Sequence, residues 1–99
     1  MKVIKDYVDH IEDELEGAKE YAEKYVEAKA MDEISKANKY KEMANDELRH
    51  ASYVHEFAVD EIKKISKVFV APVEMQEKWD KAHKEYIEKA AWIRQMLSM

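Results

Sequence analysis

Gly17 and Pro72 are the only glycine and the only proline in 99 residues, and this scarcity constrains the fold more than any other feature. Glycine and proline are where chains turn sharply and where helices stop. A chain with one of each must consist of long, uninterrupted elements. The residues between them are rich in Ala, Glu and Lys, which favour helix. One domain is the most this length allows. A short chain of extended helices buries little of its surface, so self-association is the expected state.

Periodicity divides the chain into three helices. The first spans about 2–30 and carries Ile4, Val8, Ile11, Leu15, Ala18, Ala22 and Tyr25 at alternating spacings of four and three, which is one apolar seam. It ends near "AKAMDE", where Asp32 is the expected N-cap of the second helix, about 33–66. The second seam runs through Ala37, Tyr40, Ala44, Glu47, Ala51, Val54, Ala58, Glu61 and Ile65. The pattern lapses in "SKVFVAPVE", where Pro72 disfavours a helical Ala71 and suits the first turn of a third helix, about 72–98. That helix places Trp79, His83, Tyr86, Ala90, Ile93 and Leu97 on one side. The expected class is all-α, an antiparallel helical hairpin plus a third helix.

Glu47 is the anomaly. Burying an unpaired carboxylate costs several kcal/mol or forces it to take a proton. Ionisation at the helix edge, or a lysine across an interface, would satisfy it. His50 adds a third solution: three residues on, it stands about 60° around the helix from Glu47, so the two converge on one side. Glu-x-x-His on an inward helical face is the ligand pair of bundle-core di-metal carboxylate sites. On the first helix, Glu14 borders the seam between Ile11 and Ala18. Glu14 and Glu47 lie almost equally far from the turn near Met31, so an antiparallel hairpin brings them to one level, ~25 Å from it. Glu14, Glu47 and His50 are therefore the candidate metal ligands. Tyr21, two turns after Glu14, is the candidate hydroxyl behind them. Gly17 sits in a helix interior at a cost of about 0.5–1 kcal/mol relative to Ala, which close approach by a partner helix would explain.

These residues resemble the ferritin-like superfamily. "ELEGAKEY", Glu14 to Tyr21, is similar to its first-helix pattern of a ligand Glu followed seven residues later by Tyr. "ELRH", Glu47 to His50, is similar to its second-helix Glu-x-x-His. The short chain most resembles the half-size members related to encapsulated ferritins, and small bacterial and phage relatives. The resemblance covers the first two helices, roughly two thirds of the chain. It implies a ferritin-like four-helix bundle formed by dimerisation, in which two chains supply four Glu and two His for two Fe ions per dimer interface. Mn and Zn are the other metals such donors accept. Fe(II) oxidation by O2 or peroxide, a ferroxidase activity, is the implied chemistry.

Helix three offers Asp80 and His83, which fall about 12 Å from the Glu47 level. His83 stands level with His55, so His55, Asp80 and His83 form a second polar cluster. A hydrogen-bonded structural pair of histidines is its main expectation and a second metal site the alternative.

The formal charge is −5, and Lys and Arg alternate with Asp and Glu, so no basic stripe invites nucleic acid. "MKVIKDYVDH" turns charged too soon for a secretory segment, and no apolar run approaches the roughly 18–20 residues of a membrane span. A cytoplasmic location is expected. The absence of Cys removes disulfides and thiolate ligands. A chain of this size has no cavity for an iron core, so storage needs a separate protein shell. No recognisable docking tail follows "IRQMLSM", which argues against packaging in one. The alternative function is a non-catalytic helical structural or interaction module, bacterial or phage, whose seam acids set register and oligomeric state.

Overall fold

The computed structural model describes residues 2–68, 70 and 72–99. Those residues form three helices and no strand: α1 (Lys2–Ala30), α2 (Ile34–Val68) and α3 (Val73–Leu97). They make a rod of 55 × 17 × 17 Å. The expectation for Ala71 falls outside the described residues. Pro72 is the N-cap residue of α3, with φ −57° and ψ 139°. Its fixed φ suits the start of a helix, and having no N–H it leaves no donor unsatisfied there.

All seven seam residues of α1 are buried, together with Ala28. On α2 the buried positions are Ala37, Ala44, Leu48, Ala51, Val54, Ala58 and Ile65. Leu48, not Glu47, thus fills the core at that level, and Glu47 stands on the flank. The exchange is physically reasonable: the apolar side chain takes the dry position, and the carboxyl keeps contact with water. Ala18, Ala22, Ala44, Ala51 and Ala58 have no exposed surface. Small side chains along this contact let α1 and α2 approach closely, while each contributes little apolar area. Large apolar side chains remain exposed elsewhere, among them Met43, Phe57, Ile87 and Trp92.

The α1–α2 turn departs from expectation. Asp32 is not the N-cap of α2. It has φ 59°, its N–H donates to the Lys29 carbonyl at 3.1 Å, and the Glu33 N–H donates to the Ala28 carbonyl at 2.9 Å. This is a Schellman closure with Asp32 as its left-handed residue, and Asp tolerates that conformation better than most residues other than Gly. The carbonyl of Glu33 then accepts from the Ala37 N–H at 2.9 Å to start α2.

α3 returns parallel to α1. Ile4 and Lys5 line one surface hollow with Met75 and Lys78. Further along, Leu15 and Lys19 line another with Trp92 and Ile93, and at the far end the Lys29 ammonium donates to the Met99 carbonyl. The third helix therefore covers one flank of the hairpin. The opposite flank carries Glu14 and Glu47.

Candidate metal centre

A stripe at spacings of four, three and four runs along α1 beside its seam: His10, Glu14, Gly17 and Tyr21. Residues so spaced share one side of a helix. The facing part of α2 presents Glu47 and, one turn on, His50. One ligand atom from each of Glu14, Glu47 and His50 lies within 4.8 Å of the others. His50 Nδ1 is 3.5 Å from Glu14 Oε2 and 3.9 Å from Glu47 Oε1. Atoms that share an ion at about 2.0–2.2 Å stand roughly 3.0–3.5 Å apart, so the two His50 contacts are already near that span, and a separation of 4.8 Å would have to close by roughly 1.3–1.8 Å to hold a metal. Two carboxylates and an imidazole form a donor set suited to Fe or Mn, and also acceptable to Zn.

The two carboxyl side chains are largely sheltered, at 18% exposure for Glu14 and 27% for Glu47, whereas His50 is 51% exposed. Their hydrogen bond splits their acidities. It raises Glu47 above the ordinary carboxyl value, with burial adding to the rise. The same hydrogen bond lowers Glu14, against burial and with help from His10 and His50. Glu47 is thus the weaker acid of the pair and Glu14 the stronger. Two close carboxylates cannot both ionise cheaply without a cation between them.

Two features of the site were not anticipated from sequence. His10 Nε2 lies 3.1 Å from Glu14 Oε1, an i,i+4 contact legible in the spacing once Glu14 is singled out. Gly17 is the other: a Cβ built there would stand 2.9 Å from Glu47 Oε2. What fills the space at this glycine is the Glu47 side chain. Tyr21 stacks on Tyr40, with ring centroids 6.4 Å apart and planes inclined by 26°. Among the described residues no hydrogen bond joins its hydroxyl to Glu14, Glu47 or His50.

The second cluster divides. His55 Nε2 and His83 Nδ1 meet at 2.8 Å, beneath Trp79 and Tyr86. Asp80 is exposed and accepts from Gln76 Nε2 at 2.9 Å on its own helix. The structure brings the two histidines together and leaves Asp80 apart, because three residues after Asp80 the α3 surface has already turned inward.

Compared with known proteins, the chain matches no family model, no curated protein and no solved structure. Fold and site together define an all-helical chain carrying a candidate carboxylate–imidazole metal centre. No helix among the described residues is long and apolar enough to cross a membrane.

Proposed function

We propose that this chain is a ferritin-like di-metal carboxylate protein that handles iron, with Fe(II) as the substrate it oxidises, and that its full centre forms between two copies. The observation that carries this reading is the convergence of Glu14, Glu47 and His50 from two helices within 4.8 Å. One chain offers three donors, too few for two metals. A two-fold axis beside them doubles the set to four Glu and two His, the complement of di-metal carboxylate bundles.

The flank away from α3 suits such pairing. By helix period the side of the hairpin that carries the two acids also carries Tyr7 and Tyr21 of α1 and Met43 and Phe57 of α2, the first two packed against the core and the last two exposed. An apolar border around a polar centre excludes water from a site while leaving its donors to the metal. The protein groups act in defined ways. Glu14 and Glu47 would supply negative charge that favours the higher oxidation state, and His50 would supply a nitrogen donor. Iron supplies the electrons that pass to O2 or peroxide.

Anaerobic Fe(II) titration of the wild-type chain and of Glu47→Ala, with sedimentation equilibrium on the same samples, tests the proposal. The expected result is one metal per chain, two per dimer, lost in Glu47→Ala. A metal-loaded monomer removes the two-chain centre.

One observation favours a second reading. The contact between Glu14 and Glu47 sets their acidities apart without any metal, as it would in a helical interaction module whose seam acids set pairing. Absence of bound metal at saturating Fe(II), Mn(II) and Zn(II), with the dimer intact, selects that module.

A further inference from the structure

Two residues that cannot both be ligands to the ion hold the candidate ligands in place, and they flank Glu14 on its own helix stripe. His10 lies one turn before it and Gly17 one turn after. We propose that His10 and Gly17 are positioning residues of the metal centre, His10 fixing the carboxylate of Glu14 and Gly17 providing the notch in α1 into which Glu47 folds. The inference rests on the metal-binding reading above.

The geometry at Glu14 is directional. Its Oε1 faces His10 Nε2 at 3.1 Å and its Oε2 faces His50 Nδ1 at 3.5 Å. An ionised carboxylate only accepts hydrogen bonds, so His10 donates through Nε2–H. That bond occupies one oxygen, sets the plane of the carboxylate, and leaves Oε2 directed at the space shared with Glu47 and His50. An ordinary surface pair would not do this. Lys5 and Asp9, also four residues apart, stand one turn earlier with Asp9 52% exposed, whereas the Glu14 side chain is 18% exposed. The His10 contact therefore orders a sheltered group whose other oxygen faces the site.

Gly17 acts by what it lacks. Its hypothetical Cβ meets Glu47 Oε2 at 2.9 Å, Cδ at 3.5 Å and Cγ at 3.7 Å. The outer part of the Glu47 side chain, from Cγ to the carboxylate, lies against the α1 backbone there. That placement is how a carboxylate from the flank of α2 comes within reach of Glu14. A methyl group at position 17 leaves the helix free to form, since Ala is the better helix former. It also obliges Glu47 Oε2 to move away from the position it holds beside α1, while Cδ and Cγ stand at ordinary contact distance, so the carboxylate is re-aimed rather than the helix disturbed. The two effects have opposite signs on fold and on site.

The test is anaerobic titration with Mn(II) and with Fe(II), followed by calorimetry, on the wild-type chain, Glu47→Ala, His10→Ala, His10→Gln and Gly17→Ala. Helix content and metal-free melting are measured on each. The expected result is a loss of metal affinity of about 10- to 100-fold in His10→Ala and in Gly17→Ala, the range for partners that orient ligands. Gly17→Ala melts at or above the wild-type temperature without metal. His10→Gln, whose amide N–H donates from nearly the same point as Nε2, recovers most of the affinity lost in His10→Ala. Gly17→Ala binding as tightly as wild type overturns the notch, and His10→Gln as weak as His10→Ala overturns the hydrogen-bond role. Equal affinity in wild type and Glu47→Ala instead overturns the metal-binding reading itself, and this inference with it.

Discussion

His55 and His83 face each other across α2 and α3 with Nε2 and Nδ1 2.8 Å apart, so at most one of the two nitrogens in that contact carries the proton. Burial lowers the His55 pKa below its ordinary value, and His83 lowers it further. A histidine whose folded pKa is depressed resists protonation in the native state while the unfolded chain accepts it freely. Its contribution is complete above the ordinary pKa of about 6.5 and is lost as pH falls below that value. Urea unfolding of the metal-free protein between pH 8 and pH 5 should show stability declining on the acid side. His55→Phe, which keeps a ring against Tyr86, should flatten that decline. An unchanged slope in His55→Phe would assign the pH dependence to other groups.

The acid pair at the candidate metal centre predicts opposite trends for its two members. Glu47 has a raised pKa, so its contribution is present below the ordinary carboxyl value and fades as pH rises through the folded value. Glu14 has a lowered pKa, so its contribution is present above the ordinary value and fades as pH falls through the folded one. A divalent ion competes with protons for this pair and relieves the repulsion between the two groups once both are ionised. Saturating Mn(II) should therefore raise the melting temperature more at pH 7 than at pH 5. Equal shifts at the two values would place the ion elsewhere.

Ligands separate from neighbours by geometry. Glu14→Ala, Glu47→Ala and His50→Ala should each weaken metal binding by more than about 100-fold, beyond the effect of orienting partners, with helix content retained. Glu12→Ala and Glu27→Ala, both exposed on α1, should bind as wild type. Asp80→Ala and His83→Ala should do so as well, since their side chains belong to other contacts. Elemental analysis of metal per chain measures all seven. Retention in Glu14→Ala with loss in His83→Ala would move the centre onto α3.

The left-handed Asp32 (φ 59°) predicts a gain. Replacing it by Gly removes the Cβ penalty of that conformation, and Asp32→Gly should stabilise the fold by about 0.5–1 kcal/mol. The check is a higher urea midpoint with an unchanged m-value. A lower midpoint would mean that the aspartate side chain contributes to the turn in a way its backbone does not reveal.

What could be read from the sequence follows the strength of the local signal. The α1 seam was fully legible because Ile4, Val8, Ile11 and Leu15 are large, apolar and evenly spaced. The α2 seam is built largely of alanine, which is compatible with core and surface alike, so the pattern did not show that Leu48 displaces Glu47 from the core. Asp32 misled for a related reason: aspartate serves both as a helix N-cap and as a left-handed residue, and only the backbone angle separates the two. The meeting of Glu14, Glu47 and His50 was accessible through helix period and equal distance from the turn. The His10 contact and the occupant of the Gly17 space depend on side-chain rotamers across two helices, which residue spacing does not encode.

The notch at Gly17 also has an experimental use. Every substitution of Glu14, Glu47 or His50 deletes a donor atom, and those of the two acids also change the formal charge from −5, so long-range attraction for cations changes along with coordination. Gly17→Ala adds one methyl group and alters no charge and no donor. On the proposal above it would give an isoelectric twin of the protein in which the same acids attract the same ions with Glu47 no longer held in place. Comparing the twin with the parent across ionic strengths would separate what the acidic surface does for metal capture from what the shaped site does.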